Sequence, residues 1–330
     1  MKYTVVLTDE RHPSYEIERN ILKGADARLV AADHSTPEAF IASCAQADAL
    51  MVDMAPCGAD LVNALERCKI ISRYGVGYDN VDVDACSAKG ILVSNVPDYC
   101  TYDVSDHALA LMLDCMRGVT QRDRRIRRGE WNISIPHSYR MKGRTLSIIG
   151  FGRIGRRLAE KVSGFGFARI LAYDPYTSSE DMAAAGVEKV DFDTALSQGD
   201  MISIHVPCTD ETKGLFDARA FSLMQPHAIL VNTARGPIVD PDALLNALTQ
   251  HQIASAGIDT HAIEPIPADS PFLELENIVL TDHTAYCTYE ATIALKEKAA
   301  QNVAAALQGN IPMAAVNREC LSGRVPLHIA

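Results

Sequence analysis

The sequence predicts an α/β protein of about two domains with parallel, helix-covered sheets, the later one nucleotide-binding. Three observations carry that expectation. Short β-type runs alternate with helical stretches along the 330 residues, the pattern of parallel sheets covered by helices on both faces. A glycine-rich turn stands at 150–155, far from the N-terminus. The α/β sequence ahead of that turn is long enough for a domain of its own, and 330 residues suit roughly two domains.

The strands are expected at 4–8, 49–52, 70–72 and 91–94, and after a break at 145–149, 170–173, 201–205, 228–232, 254–258 and 278–281. Segments such as 60–67, 153–163 and 241–249 read as helices. One longer helix is expected over 104–127. Its first half is apolar from Ala108 to Leu113, and its second half carries Arg117, Arg122, Arg124, Arg125, Arg127 and Arg128. The arginines read as a solvated helix end. The apolar half is suited to bridging two domains or two subunits.

Composition narrows the class. Lys plus Arg number 31 and Asp plus Glu 42, a net charge of -11, which argues against wrapping nucleic acid. No run of about 18 apolar residues is present, so no membrane span is expected. Asp9 and Glu10 come too early for a signal-peptide core. The nine cysteines are odd in number and form no C-x-x-C pair. A disulfide framework or metal site is therefore not expected, and a cytoplasmic location is.

The strongest local signal is Gly150-Phe151-Gly152-Arg153-Ile154-Gly155. It follows a strand, opens a helix, and precedes a second strand that ends in Asp174, 19 residues after Gly155. That is the dinucleotide fingerprint. Gly150 permits the tight turn, Gly152 lets the backbone approach a pyrophosphate, and Gly155 lets helix and strand pack closely. Arg153 and Ile154 open the helix, whose N-terminus favours phosphate charge. Asp174 accepts hydrogen bonds from ribose hydroxyls and repels a 2′-phosphate, so NAD is expected rather than NADP.

Three further polar groups follow predicted strands: Arg235, Glu264 and His283. In open α/β sheets, ligands bind at the carboxyl ends of strands. An arginine fork binds a carboxylate and polarises a neighbouring carbonyl. A histidine delivers a proton to the carbonyl oxygen as hydride reaches carbon, and a glutamate beside it favours the imidazolium.

These segments resemble the NAD-dependent D-isomer-specific 2-hydroxyacid dehydrogenase family, most clearly over residues 45–310. Arg73-Tyr74-Gly75-Val76-Gly77-Tyr78-Asp79-Asn80 is similar to the family's substrate-carboxylate loop, with the N–H groups of Val76 and Gly77 as the carboxylate donors. His205-Val206-Pro207 and Thr212 resemble the segment lining the cofactor. Asn232-Thr233-Ala234-Arg235-Gly236 matches the catalytic-arginine motif. Asp259 through Glu264-Pro265 matches the segment with a nicotinamide-contacting Asp and the catalytic Glu, and His283 matches the catalytic His.

The resemblance implies two Rossmann-like, doubly wound domains: a flavodoxin-like substrate domain of 1–100 plus 290–330 and, inserted into it, an NAD-binding domain of 101–289. It further implies a homodimer and a small anionic 2-oxo or 2-hydroxy acid substrate. Catalytic residues would be Arg235, Glu264 and His283. Substrate contacts would come from Arg73, Tyr74, Val76, Gly77 and Tyr286. Cofactor contacts would come from the turn at 150–155, Asp174, His205, Val206, Pro207, Thr212, Thr233, Ala234, Arg235, Asp259 and His283.

Some positions depart from the family pattern. Asp282 stands where Pro often precedes the His, and is expected to face solvent. Tyr286-Cys287-Thr288-Tyr289 resembles the C-terminal-binding-protein-like subgroup, with Tyr286 bordering the substrate. Asp53 disfavours a phosphorylated substrate. Arg73, His137 and Arg140 are candidates for a second anionic group. Glyoxylate, hydroxypyruvate and a sulfonated lactate-like acid fit these features. Two alternatives remain open at this point: an NAD(H)-responsive corepressor-like interaction protein, and a phosphite-type dehydrogenase.

Overall fold

A computed structural model describes residues 1–131, 133 and 138–321; His137 lies outside them. The chain divides into two compact units, Met1–Tyr99 with Thr288–Ala330, and Cys100–Cys287. These breaks fall one and two residues before the expected domain ends.

The first unit holds a five-stranded sheet: β1 (Tyr3–Leu7), β2 (Ala27–Ala31), β3 (Ala49–Val52), β4 (Ile70–Arg73) and β5 (Leu92–Ser94). The order is β2-β1-β3-β4-β5, and every pairing is parallel. This is the flavodoxin-like order, with its direction of winding reversed between β1 and β3. There the Asp9 carboxylate accepts hydrogen bonds from the N–H groups of Asp53 (2.9 Å) and Ala55 (2.9 Å) and ties the two strand ends together. The edge strand β2 carries Arg28 and is only partly buried, so it lacks the apolar run that marks β3 and β4. The helix Tyr289–Leu307 packs Leu295, Ala299, Ala300 and Val303 into this unit's core.

The second unit holds seven parallel strands: β6 (Thr145–Ile149), β7 (Arg169–Tyr173), β8 (Glu188–Lys189), β9 (Met201–Ile204), β10 (Ile229–Asn232), β11 (Ser255–Ile258) and β12 (Ile278–Leu280). Their order is β12-β11-β10-β9-β6-β7-β8. The strands β9, β10 and β11 are buried at every position, as expected where helices cover both faces. The winding reverses between β9 and β6, which places the ligand crevice of such a sheet at their carboxyl ends.

The long helix expected over 104–127 is two helices, Thr101–Arg117 and Val119–Arg127. Gly118 breaks it in the left-handed conformation, φ 60°, which glycine adopts without steric cost. Asp114 then accepts from Thr120 N at 2.8 Å and anchors the second helix. Ala108, Leu111 and Met112 are buried in the second unit's own core with Leu146, Ile148 and Val231. One face of this apolar half is thus used inside its own unit, while Leu109 and Leu113 are only partly buried and Ala110 is exposed. The arginine-rich helix is exposed and ion-paired, with Arg127 2.7 Å from Asp123 and Arg125 2.7 Å from Glu276.

Among the described residues, no helix is long and apolar enough to cross a membrane, and no group of three or more His, Cys, Asp or Glu is arranged to hold a metal. None of the nine cysteines forms a disulfide, and six are buried. Burial pushes the Cys68 thiol up to about 12, so it behaves as a small core hydrophobe.

Candidate active site

The glycine turn sits at the reversal point. Gly150 follows β6 with φ 97°, and a Cβ there would lie 2.7 Å from the His205 carbonyl carbon after β9. Only glycine fits both the backbone angle and the approach. A Cβ on Gly155 would lie 2.3 Å from Gly150 O, so helix and turn are in direct contact. Gly152 is different: a Cβ there would meet nothing within 4 Å. It precedes the helix Arg153–Lys161, which has no side-chain cap at its N-terminus. Open space in front of unsatisfied helix N–H groups is what a pyrophosphate requires.

Asp174 closes the turn from β7. Its carboxylate accepts from Phe151 N (2.8 Å), Tyr176 N (2.8 Å) and Thr177 N (3.0 Å), and it stays only half-buried. A dinucleotide thus fits the residues present. Replacing Asp174 by Ala is expected to weaken NADH binding about 10-fold, the loss of roughly one charged hydrogen bond, and to narrow the preference over NADPH. Fluorescence titration with each cofactor checks this.

His205 and Thr212 shape the other side of the turn. The His205 ring lies 2.8 Å from Ser203 Oγ. Burial pushes its pKa down to about 4, so it is neutral at physiological pH. The unfolded chain takes up that proton below about 6.5, so stability should decline as pH falls from about 6.5 towards 4. Urea midpoints at both ends of that window should differ in the wild type and less so in His205→Gln. The Thr212 hydroxyl donates to Pro207 O (2.6 Å) and closes the 207–212 loop. Val206 is buried and Pro207 exposed.

The arginine loop leaves β10. Asn232 braces it from within, accepting from Ala234 N (3.0 Å) and donating to Arg235 O (2.9 Å). The Asn232 side chain thus fixes the turn that carries Arg235. Arg235 is half-buried, with Nη1 donating to Ala234 O at 2.8 Å. Thr233 is 8% exposed, and its hydroxyl has no hydrogen-bond partner among the described residues. A buried polar atom left unpaired points to a ligand group. The next residue, Gly236, packs against the following loop so closely that a Cβ would lie 2.0 Å from the His261 carbonyl.

That contact brings the Arg235 loop to the Glu264 loop. Glu264 Oε2 lies 2.8 Å from His283 Nδ1, with the two side chains 29% and 25% exposed. Its other oxygen accepts from His261 N at 2.8 Å. Burial opposes ionisation of Glu264, but the hydrogen bonds from His283 and the His261 N–H outweigh it and hold the carboxyl below its usual range. With Nδ1 engaged by a carboxylate, His283 presents Nε2 for proton transfer. The Tyr286 ring meets the His283 ring edge-on, with centroids 6.3 Å apart. Asp282 is exposed and accepts from the Thr284 hydroxyl (2.8 Å), so it faces away from the pair as expected.

Asp259 departs from its expected role. It is fully buried, and its carboxylate accepts from Thr281 Oγ1 (2.6 Å), Thr284 N (3.1 Å) and Ala285 N (3.0 Å). A carboxylate with no exposed surface does not touch a nicotinamide. It fastens the segment that carries His283. His261 and His107, which sequence reasoning did not single out, both reach Thr281 (2.7 and 3.0 Å).

In the first unit, the carboxylate loop follows β4. The N–H groups of Val76 and Gly77 have no acceptor among the described residues. The loop carbonyls are fixed instead: Val76 O accepts from Asn95 Nδ2 (2.6 Å) and Gly75 O from Val96 N (2.8 Å). Tyr74 must be corrected. It is 2% exposed, and its phenol donates to the fully buried Glu18 at 3.0 Å. Burial, with the Glu18 charge beside it, pushes the phenol well above its usual range. Its side chain belongs to the core, not to a substrate. Arg73 is also buried, folded back so that Nη1 donates to Tyr74 O and the guanidinium lies against Gly75. It braces the loop in place of the expected substrate contact. Arg140 is exposed.

The chain is similar to known proteins. The sequence model described as "D-isomer specific 2-hydroxyacid dehydrogenase, NAD binding domain" matches residues 109–285. The glyoxylate reductase of Korarchaeum cryptofilum is 40% identical over 275 residues, 82% of each chain. The D-3-phosphoglycerate dehydrogenase of Mycobacterium tuberculosis is 40% identical over 279 residues, 84% of this chain and 52% of that protein. The D-lactate dehydrogenase from Aquifex aeolicus, solved with NAD and lactic acid, matches with a TM-score of 0.83 at 27% identity, over 97% of this chain and 98% of that one. With the glycine turn, Asp174 and the Glu264–His283 pair in one unit, and with family similarity across most of its length, the chain belongs to the D-isomer specific 2-hydroxyacid dehydrogenases, NAD-dependent oxidoreductases.

Proposed function

We propose that the protein interconverts a small D-2-hydroxy acid and its 2-oxo acid, with Arg235, Glu264 and His283 as its catalytic residues. The observation that carries this reading is the 2.8 Å contact between Glu264 and His283 Nδ1. Bound NADH supplies the hydride in the reductive direction. His283 gives the proton on Nε2 to the carbonyl oxygen, which becomes the hydroxyl, and Glu264 stabilises the imidazolium before transfer. Arg235 binds the carboxylate and draws charge towards the carbonyl oxygen. Tyr286 borders the substrate beside His283.

A short substrate suits these residues better than a phosphorylated one. Arg73 is committed to its own loop, and the glyoxylate reductase relative covers the same length. Glyoxylate, hydroxypyruvate and a sulfonated lactate-like acid are the first to assay. NADH consumption with a panel of 2-oxo acids, followed by the chirality of the product, tests the reading. A D-product supports it; an L-product, or cofactor binding without turnover of any 2-oxo acid, overturns it. Phosphite-dependent NAD reduction, or NADH-dependent protein capture without turnover, would transfer the assignment to the corresponding alternative.

A homodimer and a cytoplasmic location complete the proposal. Trp131 and Ile133, 87% and 83% exposed beyond the arginine-rich helix, are apolar surface suited to a second copy. The free thiols accord with a reducing compartment. Light scattering of the purified chain gives the oligomeric state.

A further inference from the structure

The helix Thr101–Arg117 contributes one polar side chain to the catalytic segment. His107 Nε2 lies 3.0 Å from Thr281 Oγ1 and 3.4 Å from Asp259 Oδ1. Thr281 Oγ1 in turn donates to the same Asp259 oxygen at 2.6 Å. A hydroxyl has a single proton. With that proton directed at the Asp259 carboxylate, His107 must be the donor to Thr281, so its Nε2 carries hydrogen.

The rest of the clamp leads to the catalytic pair. Asp259 O accepts from His283 N at 2.8 Å, and its carboxylate holds Thr284 N and Ala285 N. Thr281 O meets His261 Nε2 at 2.7 Å, and His261 N donates to Glu264 Oε1 at 2.8 Å. The hydrogen bonds therefore run in a closed ring through Asp259, His283, Glu264, His261 and Thr281, and His107 enters it from a different element. His283 itself adopts φ 56°. A non-glycine residue holds that angle only where its surroundings over-determine it.

Asp259 is the fully buried carboxylate of this ring, and His107 is the basic side chain within ion-pair reach of it. Without His107, the carboxylate loses its neighbour at 3.4 Å, and the Thr281 hydroxyl loses the partner that fixes its direction. A buried charge stripped of a partner is costly.

We propose that His107 is a positioning residue: by donating to Thr281 and pairing with Asp259, it holds the 281–285 segment so that His283 stays aligned with Glu264. This rests on the catalytic reading of His283 given above. The titratable groups around His283 are Glu264, His261, Asp259, Asp282 and Tyr286, and none of them needs to change charge for the clamp to act.

The test uses His107→Leu, His107→Gln and Thr281→Val in the full chain. Glutamine offers an N–H where the imidazole Nε2 lies; leucine does not. For His107→Leu, kcat on the best 2-oxo acid should fall about 10-fold, short of the ~10²-fold cost of a full 1 Å misplacement. KM and NADH affinity should change less than about twofold by the same reasoning. Thr281→Val should resemble His107→Leu, and His107→Gln should recover most of the loss. NMR titration of the His283 ring should show a shifted pKa in His107→Leu and a near wild-type one in His107→Gln, a readout that requires no turnover. If His107→Leu folds with unchanged kcat and an unchanged His283 titration, or if His107→Gln is as impaired as His107→Leu, the proposal is overturned. If the wild type turns over no 2-oxo acid while the His283 titration still responds to His107, the clamp stands and the substrate reading fails.

Discussion

His283→Gln should lower kcat by about 10²- to 10⁴-fold, the usual contribution of a positioned general acid, while NADH affinity and thermal stability stay near wild type. Glutamine retains a donor but delivers no proton. The side chain is 25% exposed and pairs with Glu264, so its loss leaves no fully buried charge behind. Glu264→Gln should be milder in kcat and more visible in the pH profile. The Glu264 carboxyl is held below its usual value near 4.5. The pairing is therefore fully present above about pH 4.5 and is lost as pH falls through the lower value of the folded state. In Glu264→Gln the charge that favours the imidazolium is absent at every pH, so the high-pH limb of reduction should move to lower pH. Steady-state rates across the pH range, for both variants, check this.

The second large effect is expected at a residue with no chemistry. Gly236→Ala places a Cβ 2.0 Å from the His261 carbonyl. Backbone, not a flexible side chain, must give way. Overpacking of this kind costs about 1–3 kcal/mol, and it separates the Arg235 loop from the loop that carries Glu264. A shift of about 1 Å between catalytic groups costs roughly 10²-fold in rate. The variant should fold with a lowered melting temperature and lose most of its kcat. Calorimetry and kinetics on one preparation distinguish this from simple unfolding.

How far the sequence reveals the site differs from residue to residue. The cofactor turn is legible because three glycines and an acid at fixed spacing serve a steric purpose, and the contacts of Gly150 and Gly155 are those the spacing implies. Arg235, Glu264 and His283 are legible because each follows a strand, and strand ends are where such sheets place ligands. Tyr74 misleads for a related reason. It stands beside the carboxylate loop in sequence, yet a phenol of its size goes to the apolar side, where Glu18 receives it. Asp259 and His107 are illegible singly. Their meaning lies in hydrogen bonds between residues more than 150 positions apart in the chain (107 and 281). The break at Gly118 is hidden because a lone glycine in a helical pattern is tolerated as often as it terminates. Only the capping by Asp114 shows that the chain turns. The edge strand β8 is two exposed charged residues and gives no apolar signal, and β2 is only partly buried around Arg28.

The most direct test of the account is a matched pair of measurements on Arg235→Ala: NADH binding by fluorescence, and NADH oxidation with the best 2-oxo acid. The side chain of Arg235 is assigned to the substrate carboxylate. The account predicts NADH affinity within about threefold of wild type and a loss of kcat/KM of about 10²-fold or more, the scale of one lost charge-stabilising donor. Full turnover in Arg235→Ala would contradict it.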